Sequence, residues 1–131
     1  MGKYAAATAK TGLTIPRPGA CPSDLQLPQL LAYTRDDDPK VRRLALKHLC
    51  PCRLQRQREA VWERVFEMTC DPDPGVRRDA VHGMTDGSPR EFAPLVLTHL
   101  EPMIRDPDPQ VRKYVRRTLE AIRRSGRINV N

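Results

Sequence analysis

Asp71-Pro72-Asp73-Pro74-Gly75-Val76-Arg77-Arg78-Asp79-Ala80 decides the fold, because the chain writes this stretch three times. Asp36-Asp37-Asp38-Pro39-Lys40-Val41-Arg42-Arg43-Leu44-Ala45 stands 35 residues earlier. Asp106-Pro107-Asp108-Pro109-Gln110-Val111-Arg112-Lys113-Tyr114-Val115 stands 35 residues later. The register holds without a gap: Pro39, Pro74 and Pro109 align, as do Val41, Val76 and Val111, and Arg42, Arg77 and Arg112. A fixed period of this size is the signature of a repeat array, in which each unit buries its apolar face against its neighbours.

Each copy is a helix start. Asp38, Asp73 and Asp108 stand where a side-chain oxygen caps free N–H groups, and the proline that follows takes the first helical position, where its missing N–H costs nothing. Apolar residues then recur at helical spacing: Val41, Ala45 and Leu49; Val76, Ala80 and Met84; Val111, Val115 and Leu119. Other helical segments lie between the copies. Ser23-Asp24-Leu25-Gln26 has the form of a capping box, and Leu27, Leu30, Leu31 and Tyr33 give the helix it opens an apolar side. Val61, Trp62, Val65, Phe66 and Met68 line the next segment, where Trp62 and Phe66 read as core rather than as a stacking platform. Ser88-Pro89-Arg90-Glu91 is a second capping box, and Pro94 and Pro102 should kink the segment after it. The last helix starts at Pro109 and has its natural stop at Gly126. The unit is a helix pair, and the fold class is all-α.

These residues resemble the HEAT repeat in its short bacterial, phycobilisome-lyase-like form. There the second helix of each pair opens with Asp-x-Asp-Pro-x-Val-Arg-x-x-Ala, a pattern this chain carries three times, with Val115 at the last position of the third copy. The resemblance implies three stacked antiparallel helix pairs forming a short HEAT-type α-solenoid over residues 23–126, with repeats at about 23–52, 53–87 and 88–126. Residues 1–22 are then a basic N-terminal arm, disordered or extended until a partner orders it, and residues 127–131 a short tail. The family is mainly a set of non-catalytic binding scaffolds, so function has to be argued from the surface.

Net charge is +7 and the isoelectric point about 9.7, which favours acidic partners. The positive charge sits at the two ends. Lys3, Lys10 and Arg17 stand in residues 1–20 without an acid, and residues 110–131 carry seven bases against Glu120 alone, leaving the middle slightly acidic. No apolar run has the length of a membrane span, and a cytoplasmic location is the expectation. The chain holds no Gly-rich phosphate loop, nucleophile elbow or His-Glu-x-x-His pattern, and nothing indicates a small-molecule substrate. HEAT-like DNA glycosylases are similar in fold only, since no active-site motif of theirs is matched here.

The period sorts the bases. By the resemblance, Arg42, Arg77 and Arg112 bond to aspartates of the turns and neighbouring repeats, forming with Asp38, Asp73 and Asp108 a structural ladder. Arg43, Arg78 and Lys113 form a second column, and Lys47, His82 and Arg117 a third, four residues further along the same face. Stacked side by side, these columns make either a basic strip or an ordinary solvated face. On the last helix, Arg112, Arg116, Arg123 and Arg127 form one row, with Lys113, Arg117 and Arg124 beside it. Arginine's planar fork suits carboxylate and phosphate alike.

The expected partner is therefore an acidic protein surface, with duplex or structured RNA or a ribonucleoprotein as the alternative. Aromatics are few, at three Tyr, two Phe and one Trp, which argues against reading single strands by stacking.

Four cysteines remain. Cys21 precedes the first helix, while Cys50 and Cys52 end its partner beside His48. Two readings are open: free thiols without a cofactor, or a zinc site of Cys21, His48, Cys50 and Cys52. Cys70 is excluded, because about fifteen helical residues at ~1.5 Å rise separate it from the others. Elemental analysis of protein purified without chelator decides between them. The zinc site requires about one zinc per chain, and well under one leaves free thiols.

Overall fold

A computed structural model describes residues 27–49 and 59–131. Every regular element among them is helical. They are α1 (Leu27–Tyr33), α2 (Pro39–His48), α3 (Glu59–Glu67), α4 (Pro74–Met84), α5 (Ala93–Leu100) and α6 (Pro109–Ser125), with 3₁₀ turns at Met68–Cys70, Arg90–Phe92 and Glu101–Arg105. The arm 1–22 and the Ser23 capping box lie outside the described residues.

The three copies of the repeated stretch are α2, α4 and α6. Asp38 accepts the Lys40 N–H, Asp73 that of Val76, and Asp108 those of Gln110 and Val111, each with proline just inside the helix. Their apolar faces converge: α1 packs on α2, α3 on α4, and α4 lies between α2 and α6. Leu30, Tyr33, Ala45, Leu49, Val65, Met68, Val76, Met84, Val96 and Val115 are buried. Trp62 and Phe66 belong to this core. Trp62 meets Phe92 edge-on at 5.7 Å, and Phe66 stacks on His99 at 4.7 Å.

Two local features depart from the sequence reading. Ser88 does not cap the segment after it, because its hydroxyl donates back to the Met84 carbonyl, and a 3₁₀ turn follows. Pro94 and Pro102 fall at the starts of α5 and of the next 3₁₀ turn, so they divide the segment rather than kink one helix. Residues 127–131 are also more than a loose tail. Gly126 turns the chain in the left-handed region (φ 70°), and Ile128 is buried. Asn129 Oδ1 accepts the Gly87 and Ser88 N–H groups, both at 2.8 Å, and the Asn131 N–H donates to the Thr85 carbonyl at 3.1 Å. Two asparagines thus fasten the segment to the turn after α4.

Arginine forks lock the repeats together. Arg42 donates Nε and Nη2 to the two oxygens of Asp71, both at 2.9 Å. Arg77 repeats this on Asp106, both at 2.8 Å. In each case Nη1 binds two carbonyls of the arginine's own turn: Asp36 and Asp37 for Arg42, Asp71 and Pro72 for Arg77. The carboxylates gripped are two places before the caps. Asp38, Asp73 and Asp108 are occupied by backbone N–H groups at the helix starts and are not the rungs. Asp71 and Asp106 are also squared to the forks by accepting the N–H of Asp73 and of Asp108, each at 2.9 Å.

Burial opposes the charge on Asp106, but the Arg77 fork, the Asp108 N–H and the charges of Arg77 and Arg112 outweigh it and hold its carboxyl below the usual range. A carboxyl held low contributes stability above its ordinary value and loses it as pH falls through the folded one. Urea melts should show this as a drop below about pH 4 that Asp106→Asn reduces. At neutral pH, Arg77→Gln leaves a carboxylate of 5% side-chain exposure unpaired and should cost about 3 kcal/mol. Arg112→Gln, which loses two backbone-carbonyl bonds and a charge near Asp106 but no carboxylate pair, should cost less, about 1 kcal/mol.

Candidate docking surface

The two basic columns run along α2, α4 and α6, and packing treats their members differently. Arg43 is bound to Asp79 across the seam, Nε to Oδ2 at 2.8 Å and Nη2 to Oδ1 at 3.4 Å. Gly75 leaves room for the crossing, since a Cβ there would stand a tight 3.0 Å from Arg43 Nη1. One repeat later Tyr114 occupies the position of Asp79, and the Arg78 guanidinium lies over its ring, 5.2 Å from the centroid. Burial raises the Tyr114 phenol above its usual value, with Arg78 pulling against it. His82 stands 3.2 Å from Asp86 and 3.5 Å from the Tyr114 hydroxyl. Lys47, Lys113 and Arg117 are exposed, with no ion pair to a described residue. Half of the two columns, Arg43, Arg78 and His82, is therefore engaged, while Lys47 on α2 and Lys113 and Arg117 on α6 are open.

α6 concentrates what is open. It buries Val111, Val115 and Thr118 on one side, while Lys113, Arg116, Arg117, Arg123 and Arg124 are exposed on the other. Arg127 follows just beyond its end, also exposed. None of these six forms an ion pair with a carboxylate among the described residues, whereas Arg42, Arg43, Arg64 and Arg77 all do. A groove of about 500 Å³ runs alongside, lined by Leu97, Leu119 and Ile122 and by Glu101, Glu120, Arg116 and Arg123. Glu101 is an acid of this surface that sequence position alone did not reveal, since it comes from the turn after α5.

His48, one member of the zinc reading, is fully buried in α2. Cys21, Cys50 and Cys52 lie outside the described residues, so the site as a whole is not displayed. Cys70 is exposed, at the end of the 3₁₀ turn before Asp71.

The model of the HEAT-repeat family matches residues 27–120, nearly the whole described helical array. The chain belongs to the HEAT-repeat family. No curated protein and no solved structure matches it. HEAT repeats serve mainly as scaffolds for protein interactions. Among the described residues of this HEAT domain, no helix is long and apolar enough to cross a membrane.

Brief treatment with phenylglyoxal reads the difference between engaged and open guanidinium groups. Mass spectrometry should find Arg116, Arg117, Arg123, Arg124 and Arg127 modified first and Arg42 and Arg77 last, because a bidentate pair shields the fork. Equal rates for the two sets would contradict the assignment.

Proposed function

We propose that this HEAT domain is a non-catalytic scaffold that docks an acidic protein surface through α6. The observation that carries the reading is the set of six exposed bases, Lys113, Arg116, Arg117, Arg123, Arg124 and Arg127, none of them ion-paired among the described residues. A cap that serves only solubility mixes signs, and here Glu120 is the single acid of α6. The groove of Leu97, Leu119 and Ile122 beside the bases supports a protein partner, since an interface gains most from a few buried apolar anchors inside a charged rim. Stacking of nucleic-acid bases has little support, because Trp62 and Phe66 are buried and Tyr114 lies under Arg78.

Fluorescence anisotropy with two probes, a polyglutamate peptide and an RNA duplex, tests the reading. At about 0.1 M salt the domain should bind polyglutamate, and joint replacement of Arg116, Arg117, Arg123 and Arg124 by Gln should weaken binding at least ~10-fold. Helix content should be retained, since Gln forms helix about as well as Arg. Tighter binding of the duplex, with a log–log salt slope growing by about 0.9 per phosphate contacted, would transfer the surface to nucleic acid. Unchanged polyglutamate binding by the four-Gln variant would end the proposal.

A further inference from the structure

Among the described residues, the third arginine of the ladder has one side open. Arg112 is held as its two predecessors are. Its Nη1 donates to the carbonyls of Asp106 at 2.7 Å and Pro107 at 3.1 Å, matching the 2.8 and 3.1 Å of Arg42 and the 2.9 and 3.1 Å of Arg77. In Arg42 and Arg77 the opposite edge of the guanidinium, Nε and Nη2, receives a carboxylate from the following repeat. In Arg112 that edge meets no carboxylate among the described residues. The side chain is half-buried and anchored at two points, so its fork is already oriented.

We propose that the Nε/Nη2 edge of Arg112 is a receptor for one carboxylate of the acidic protein partner, an aspartate standing at the entry to a helix. The inference rests on the reading of α6 as a docking surface and names the group that fixes the partner's register there. The molecule itself supplies the template. Asp71 and Asp106, the two carboxylates that such forks hold, each stand two residues before a helix cap and accept the cap residue's N–H. That bond turns both oxygens toward the fork, so the ligand is an oriented aspartate rather than any negative charge. The exposed bases Lys113, Arg116 and Arg117 raise the local concentration of acidic segments, while Arg112 discriminates among them by geometry.

The probe is a synthetic peptide with the sequence of residues 71–87, the segment that Arg42 grips inside the molecule. It is titrated into the full chain carrying ¹⁵N-labelled arginine, and the side-chain Nε–H resonances are followed by NMR. The Arg112 resonance should move and saturate, while those of Arg42 and Arg77, already engaged, stay in place. A peptide with Asp71→Asn should bind at least ~10-fold more weakly, and so should the wild-type peptide to an Arg112→Lys chain, which keeps the charge and loses the fork. An unmoved Arg112 resonance, equal binding of the Asn peptide, or undiminished binding by Arg112→Lys overturns the inference. A larger shift with inorganic phosphate at equal concentration also overturns it. The four-Gln variant separates this failure from that of the docking reading. Lost polyglutamate binding with a retained Arg112 shift supports the fork site, and polyglutamate binding without an Arg112 shift removes the fork site alone.

Discussion

Two guanidinium–carboxylate pairs, Arg42 with Asp71 and Arg77 with Asp106, hold this molecule's repeats in register. Each ties the start of one repeated helix to the turn before the next, with side-chain exposures of 11% for both arginines and 6% and 5% for the aspartates. A pair so withdrawn from water adds little to stability relative to a well-packed apolar substitute, yet breaking it strands a charge. It therefore acts as a register device. Val, Ala and Leu faces could slide past one another at modest cost, but a fork that must meet both oxygens of one aspartate permits a single offset. The same aspartates brace the turn that carries them, so each rung also shapes the helix entry of the following repeat.

Much of this was legible because it is local. The period, the capping aspartates, the prolines at the first helical positions and the glycine stop after α6 are all decided within a few residues, and the structure repeats them. What crosses a seam was less legible. The register of Asp36, Asp71 and Asp106 is as regular as that of the caps, but nothing in linear spacing says which of two aspartates in Asp-x-Asp-Pro will face the preceding arginine. The docking of residues 127–131 was hidden for the same reason. Asn129 and Asn131 look like ordinary polar residues until the turn at Gly126 brings them to Thr85 and Ser88. Ser88 in turn fails as a cap because that contact already occupies its backbone and its hydroxyl bonds backward.

The candidate surface shows how one variable column tunes its neighbours. Leu44, Asp79 and Tyr114 occupy equivalent places in the three repeats, and Asp79 and Tyr114 each meet the base that reaches across from the preceding repeat. Asp79 neutralises Arg43, while Tyr114 holds Arg78 by its ring and leaves its charge in place. A row of bases that looks uniform by period therefore becomes graded, from paired on α2, through stacked on α4, to open on α6. The repeat period aligns the bases in columns, but only the identity of the residue one repeat later says which of them is engaged.

The gradient has a general cause in the architecture. In a linear array every inner repeat can meet its polar demands from the next one, so forks, caps and apolar faces are consumed in pairs. The last described repeat has the same chemistry and no following partner among the described residues. Solubility there requires only some polar cover, and a mixture of signs supplies it at least electrostatic cost. Here α6 and Arg127 just beyond it carry six open bases against Glu120, beside a groove of Leu119, Ile122 and Glu101 and an arginine already oriented as its predecessors are. Like charges held along one helix repel one another, so this arrangement costs stability, and the docking proposed above would relieve that repulsion. The docking proposed for α6 draws on the rule that builds the array: among the described residues, the helix that meets no further repeat is also the one where open bases concentrate.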